Sequence, residues 1–269
     1  MKPKSIGIIG GLGRMGKMMG RFFVEAGYSV RIADSMAGPV DWQSIAQNDV
    51  VLLAVPIPEL EGVVREIGPH TIESGVVIDI ASLKDAPVRA MLEHCRGEVI
   101  GTHPLFGPAT ASLDGQLVFL CPAKSTRWIV WLRAFLADLG ADVVEIEPLR
   151  HDRLMATVQV FRHMLLFTFG RTLMELDFDL ASDLKLAGPL FSQLVGLLRR
   201  QVHQSPDLFA NLAIHNPATE EVSDRFLEAA REICQSYGSR DRSRTVRLIE
   251  EVSSYLLSGV PTHWEPERT

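Results

Sequence analysis

Ile6-Gly7-Ile8-Ile9-Gly10-Gly11-Leu12-Gly13-Arg14-Met15-Gly16 is the stretch whose reading decides the fold. An apolar run suited to a strand buried on both faces leads directly into Gly11-x-Gly13-x-x-Gly16. Residues Arg14 to Ala26 then carry a helical pattern. In a strand–loop–helix of this kind the glycines have separate tasks. Gly11 permits the tight turn, Gly13 leaves the backbone open to a pyrophosphate, and Gly16 lets the helix pack close to the strand. The helix N-terminus offers unpaired N–H groups and a partial positive charge to the phosphates. The next strand, Tyr28 to Ala33, ends at Asp34. An acid there can accept hydrogen bonds from ribose hydroxyls and would repel a 2′-phosphate, so NAD is expected rather than NADP. A glycine turn in some other α/β protein is the competing reading; the strand, the helix and the acid together weigh against it.

Outward from this unit, strand and helix patterns alternate. Val50 to Val55, Val76 to Ile80, Glu98 to Gly101, Leu117 to Leu120 and Val143 to Ile146 read as strands, and their continuous apolar runs suit a parallel sheet covered by helices. Pro58 to Ile67, Ala86 to His94 and Thr126 to Leu139 read as the helices between them. The pattern changes near Pro148. Arg153 to Glu175 is one long periodic stretch, and Leu190 to Gln204, Asp207 to His215, Glu220 to Tyr237 and Ser243 to Leu257 are further helices. Ser205-Pro206, Asn216-Pro217 and Asp241 mark helix starts. The expected architecture is α/β: a Rossmann-type doubly wound parallel sheet over residues 1–148, followed by an all-helical domain over 149–269. Apolar runs such as Met164 to Phe167 and Leu194 to Leu198 point to a homodimer through the helices, with a monomer built on a thick helical core as the alternative. Pro261 to Thr269 reads as a frayed tail.

Bulk properties narrow the class of function. A net charge of −6 without a basic stripe argues against a nucleic-acid surface. The three cysteines are widely spaced and odd in number, which fits reduced thiols in a cytoplasm rather than a disulfide frame or a zinc site. Lys2 and Lys4 lead straight into a core strand, so no signal peptide is expected, and no apolar run approaches a membrane span. No metal-ligand spacing is found.

Four places carry candidate chemistry. His103, in Gly101-Thr102-His103-Pro104-Leu105-Phe106-Gly107-Pro108, directly follows a predicted strand, where strand ends face the cofactor crevice of an open α/β sheet. An imidazole there is placed to take a proton; a turn histidine bonding only its own loop fits the position equally well. Ser82 ends another predicted strand, where it can hold a substrate hydroxyl, brace His103 or cap the next helix. His163, inside a helix, is on its own a packing residue as readily as a ligand. Arg199 and Arg200, near a helix end, are sufficiently explained by the macrodipole.

The chain resembles the prephenate dehydrogenase family of the tyrosine pathway. The resemblance rests on Gly10-Gly11-x-Gly13-x-Met15-Gly16, Val55-Pro56-Ile57, Asp79 through Lys84, Gly101-x-His103-Pro104-x-Phe106-Gly107, Glu147-Pro148-x-x-His151-Asp152 and Gln159-x-x-Arg162-His163. It is similar in particular to the dehydrogenase half of bacterial fusions with chorismate mutase, here expected without the mutase half and without an ACT regulatory domain. The resemblance implies NAD-dependent oxidative decarboxylation of prephenate to 4-hydroxyphenylpyruvate. It implies His103 as the group accepting the hydroxyl proton and Ser82 as a hydrogen-bond partner of the same hydroxyl. His163, Gln159 and Arg200 are implied to bind substrate, with Arg199 one position away as the alternative arginine. Gly11, Leu12, Gly13, Met15, Gly16, Asp34, Val55 and Pro56 are implied to hold the cofactor.

Two departures leave the substrate open: Gly188-Pro189 stands where relatives carry serine-proline, and Pro108-Ala109-Thr110 stands where many carry an acid. Arogenate and 4-amino-4-deoxyprephenate are therefore alternatives that share the chemistry. A non-catalytic NAD-binding sensor is the alternative of another class. A 3-hydroxyacid dehydrogenase is disfavoured, because such enzymes generally use a lysine on the helical domain and Lys185 is the only lysine there.

Overall fold

The computed structural model describes residues 3–260. Seven strands form one sheet: β1 (Ile6–Ile9), β2 (Val30–Ala33), β3 (Val50–Leu53), β4 (Val76–Asp79), β5 (Glu98–Pro104), β6 (Leu117–Lys124) and β7 (Asp142–Glu145). Their spatial order is β2-β1-β3-β4-β5-β6-β7, and every pairing is parallel except β5 with β6. The helices accompanying the sheet are α1 (Arg14–Glu25), α2 (Trp42–Ala46), α3 (Ile57–Ile67), α4 (Asp85–His94) and α5 (Trp128–Asp138). Beyond it come α6 (Pro148–Met155), a π-helical turn (Ala156–Phe161), α7 (Arg162–Glu175), α8 (Gly188–Val202), α9 (Pro206–His215), α10 (Thr219–Ser239) and α11 (Arg242–Gly259). The chain has two compact units that part between Thr219 and Glu220. The change from mixed to all-helical structure falls at Pro148, within the first. Pro261 to Thr269, the expected tail, lies outside the described residues.

The sheet is doubly wound because both of its faces are apolar. On one side Met18, Phe22 and Phe23 of α1 join Trp128, Trp131 and Phe135 of α5 in a cluster with Ile6, Ile8, Val50 and Leu52. On the other, Leu60, Val64 and Ile67 of α3 join Val88 and Met91 of α4 against Ile9, Val51, Leu53 and Val77. The apolar runs of the central strands follow directly from this double burial. On the first side, Phe23 stacks on Phe135 at 4.8 Å, and Trp131 Nε1 donates to the Tyr28 hydroxyl at 2.9 Å.

Two expectations need correction. β5 does not stop at Gly101; it runs through His103, whose register partner on β6 is Phe119. His103 is therefore held by a strand ladder, not in a turn after the strand. β6 also runs antiparallel, because residues 105–116 contain no crossover helix to return the chain to the other end of the sheet. A third difference lies in the long helix read from Arg153 to Glu175, which is broken into α6, the π turn and α7. A π turn requires neither glycine nor proline, so no residue type announces it.

Chain reversal changes along the sheet between β1 and β3, which places the crevice of an open α/β sheet there. The glycine loop after β1 and Val55-Pro56 after β3 flank it.

Glu98, at the start of β5, ties down the N-terminus of α5. Its carboxylate accepts from the Ser125 hydroxyl at 2.6 Å and from the backbone N–H groups of Thr126, Arg127 and Trp128. Burial pushes the carboxyl upward, but these donors outweigh it and hold the group at about 2, below its ordinary 4.5. A depressed carboxyl stabilises the fold above its ordinary pKa and loses that contribution as the group protonates. Glu98→Gln is expected to lower the urea midpoint at neutral pH. The gap to the wild type should narrow as pH falls from 4.5 toward 2, which a pH series of urea unfolding curves measures directly.

Candidate active site

The glycine loop is built by close backbone contacts. Gly10 carries the positive φ of the turn (+76°), and a Cβ there would stand 2.6 Å from the Ala54 carbonyl oxygen. The tight turn runs from Gly10 through Gly11 to Leu12, with its positive φ at Gly10. Gly11 is required by Ile32, which a Cβ would meet at 2.6 Å. Gly16 packs directly on the Gly10 carbonyl and Gly11 Cα, so the expected close helix–strand approach is present. At Gly13 a Cβ would meet only the Gly10 carbonyl oxygen, at 3.1 Å, and would otherwise fill open space beside the loop. No side chain caps α1 and no acid occupies its first turn, so its N-terminal N–H groups are left for a ligand.

Asp34 is buried at the end of β2. Its carboxylate accepts from Leu12 N at 2.9 Å and from Met36 N at 3.0 Å, and so fixes the glycine loop to the next strand. A cleft of about 200 Å³ opens beside it, lined by Ile32, Ala33, Gly38, Pro39, Val40 and Ile45 among others. Val55 packs at Gly10, Pro56 precedes the first turn of α3, and Met15 lies against the core. An open loop at Gly13, an uncapped helix and an acid next to an open cleft together fit a dinucleotide.

Further along the sheet lies a buried polar network. Lys84, with no exposed surface, forms an ion pair with Asp79 and donates to the Thr102 carbonyl at 2.6 Å. The Thr102 hydroxyl in turn donates to the Asp79 carbonyl at 2.6 Å, so the ends of β4 and β5 are cross-linked twice. Asp79 Oδ2 also accepts from Ala81 N, while Oδ1 has no partner among the described residues. Burial raises the Asp79 pKa, against the pull of the Lys84 ammonium.

His103 is 2% exposed. Its Nδ1 lies 2.9 Å from His151 Nε2, and His151 Nδ1 lies 2.8 Å from Asp152 Oδ1. Asp152 Oδ1 and Oδ2 accept from the backbone N–H groups of Lys84 and Asp85, at 2.7 and 2.9 Å, and its carbonyl accepts from Asn216 Nδ2 at 2.8 Å. The His103 pKa is driven well below the usual imidazole value by burial first, then by His151 and Lys84. His151 and Asp152 were not singled out from the sequence. The pair Glu147-Pro148-x-x-His151-Asp152 was visible as a motif, but a contact across 48 residues leaves no local signal.

The other candidates are placed as follows. Ser82 is half-buried in the turn between β4 and α4; no hydrogen bond joins it to His103 among the described residues, and it does not cap α4. Bracing of His103 falls to His151 instead. Gln159 sits on the π turn with Oε1 buried and unpartnered. His163 is buried at the start of α7, accepts from Arg162 at 2.9 Å and packs edge-on against Phe209 at 4.6 Å. Burial and then the Arg162 charge lower its pKa to about 4. Arg199 and Arg200 are both exposed in the last turn of α8. No contact links His163 or Arg200 to His103 among the described residues.

A glycine loop, an acid at the end of β2 and a buried histidine at the carboxyl edge of the sheet define a Rossmann-type nucleotide-binding protein with a candidate proton acceptor. The chain belongs to the prephenate dehydrogenase family, whose nucleotide-binding domain model matches residues 22–145 and whose dimerization domain model matches residues 147–251. A protein of Methanocaldococcus jannaschii named "Probable arogenate/prephenate dehydrogenase" is 33% identical over 94% of the chain; the chain spans 61% of that relative's length. A 4-amino-4-deoxyprephenate dehydrogenase of Streptomyces pristinaespiralis is 27% identical over 93% of the chain and 90% of its own length. Among solved structures, prephenate dehydrogenase from A. aeolicus in complex with hydroxyphenyl propionate and NAD+ superposes with a TM-score of 0.74, covering 96% of this chain and 99% of that one. At 18% identity that likeness establishes the fold.

The buried ion pair generates a stability prediction. Removing one partner strands a charge out of water, which costs about 3–5 kcal/mol, whereas an apolar pair of similar volume is close to neutral. Lys84→Met is therefore expected to lose stability on that scale in urea unfolding, and the double variant Asp79→Leu/Lys84→Met to recover most of it.

Proposed function

We propose that the chain is an NAD-dependent dehydrogenase that oxidatively decarboxylates prephenate to 4-hydroxyphenylpyruvate. The observation that carries this reading is the placement of His103, buried at the carboxyl edge of β5 and kept unprotonated at neutral pH by its surroundings. NAD, held by residues Gly11 to Gly16 with Leu12, Met15, Val55, Pro56 and the Asp34 carboxylate, would supply the hydride acceptor. His103 takes the proton of the C4 hydroxyl as that carbon gives up its hydride, and Ser82 hydrogen-bonds the same oxygen. The ring then becomes aromatic as its carboxylate leaves as CO₂. Substrate carboxylates need cationic or hydrogen-bonding partners; Arg200, with Arg199 beside it, and the wall formed by His163 and Gln159 serve that purpose. On this reading residues 1–148 are the dinucleotide-binding domain and residues 149–269 the substrate and dimerisation domain.

The same chemistry on arogenate or 4-amino-4-deoxyprephenate is the second reading, favoured by the names of the M. jannaschii and S. pristinaespiralis relatives. NADH formation from the three acids, each offered with NAD and with NADP, separates these readings. Turnover of prephenate with NAD is expected to dominate. NAD binding without turnover of any acid would favour a sensor instead. His103→Asn is expected to lower kcat by about 10²–10⁴-fold, the range of a general base, with NAD affinity retained. Near-normal turnover in that variant would remove His103 from the reaction.

The working form is a homodimer. Leu186, Leu190, Leu194 and Leu197 form an exposed apolar stripe entering and following α8. Light scattering is expected to give twice the chain mass, and Leu194→Glu to shift the population to the monomer. Among the described residues no helix is long and apolar enough to cross a membrane; the proposed setting in the cytoplasm rests on the unpaired cysteines.

A further inference from the structure

We infer that His151 and Asp152 are positioning residues that set the tautomer of His103, fixing its proton on Nδ1 and leaving Nε2 bare to receive the substrate proton. The inference rests on the dehydrogenase reading for the direction of that proton, and on geometry for everything else.

The argument starts at Asp152. Each of its oxygens already accepts a backbone N–H, from Lys84 and from Asp85. It stands within 2.8 Å of His151 Nδ1 as an acceptor, so that nitrogen carries the hydrogen. A neutral imidazole with its proton on Nδ1 presents Nε2 as an acceptor. His151 Nε2 faces His103 Nδ1 at 2.9 Å, so His103 must donate from Nδ1. Its own Nε2 is then the only ring nitrogen with a free lone pair. A single backbone-anchored carboxylate thus dictates the proton positions on two consecutive rings.

The parts that hold this chain are rigid. His151 has no exposed surface, and its ring lies edge-on to Phe119, the register partner of His103 on β6. Asp152 is gripped from two directions, by the turn ahead of α4 and by Asn216 beyond α9. When His103 accepts a proton at Nε2, its Nδ1–H bond to His151 is retained and strengthened by the new charge. No proton needs to leave the ring through His151, which is why neither His151 nor Asp152 is assigned contact with substrate. In the opposite arrangement, a doubly protonated His151 would donate from Nε2 to His103 Nδ1. The His103 proton would then sit on Nε2, and the ring could not act as a base at that atom.

The test reads the tautomer first. A long-range proton–nitrogen spectrum of the full chain labelled with ¹⁵N-histidine, assigned by the signals lost in His103→Asn, is expected to show His103 protonated on Nδ1 and bare on Nε2. A proton on Nε2 overturns the inference. Kinetics supply the second arm. His151→Leu, which removes the acceptor, is expected to lower kcat by about 10- to 100-fold, as loss of an outer partner orienting a histidine does elsewhere. KM and NAD affinity should stay within about twofold. His151→Gln, whose amide oxygen can accept from His103 Nδ1–H, is expected to recover most of the loss. Equal losses in the two variants, or a loss carried by KM, would show a purely structural role. Should His151→Leu fail to fold, the wild-type spectrum decides alone. Absence of wild-type turnover on every acid, with the Nδ1 tautomer present, would strike the dehydrogenase reading and leave this arrangement standing.

Discussion

Lys84 buries its amino group with no access to water, and the site depends on how that group is accommodated. A buried ammonium is tolerable only when paired and hydrogen-bonded. The partners it has are Asp79 at the end of β4 and the Thr102 carbonyl one residue before His103. Strand ends that would otherwise fray are thereby pinned together. Backbone N–H groups of the same turn, at Lys84 and Asp85, grip Asp152, so one short segment fixes both the strand bearing the candidate base and the residues behind it. Ser82, two residues earlier, inherits its position from this anchoring.

How much of this was legible in the sequence depended on the range of the interaction responsible. The glycine loop, its helix and Asp34 lie within one contiguous unit, and their placement follows from local steric demands that glycine and an acid satisfy in a recognisable order. The double-sided apolar strands announced the doubly wound sheet for the same reason. Within the loop, the three-glycine pattern leaves out Gly10, which carries the positive φ of the turn one residue ahead of it. His103 was found, but its setting was not. Extension of β5 past Gly101 depends on pairing with β6, and a partner such as Phe119, 16 residues beyond His103, cannot be inferred from a Gly-Thr-His-Pro string. The His151–Asp152 pair failed for a stronger version of the same reason. Its significance lies in packing against His103, and only tertiary structure brings the two together.

The helical residues divide between those facing inward and those left uncovered. His163, Leu166, Phe209 and Leu212 are buried, whereas Leu190, Leu194 and Leu197 of α8 are exposed. Helices bury one stripe against their own neighbours and need a second surface for another. Within the second unit, α10 and α11 are joined through Ser236 and Thr245, and Ile249, Val252, Tyr255 and Leu256 are likewise exposed. Apolar surface on this scale is the physical ground for expecting a partner copy, independently of any family description.

The π turn at Ala156–Phe161 decides which way the helix after it faces. One extra residue in a helical turn rotates everything after it by about 100° around the axis while leaving the apolar face of the preceding helix in place. Gln159 lies inside that turn and His163 just after it. A residue gained or lost here would re-aim His163 and the rest of α7 with no substitution in the sheet or the glycine loop. Length in this one turn, rather than composition, therefore sets the direction in which the side chains of α7 project.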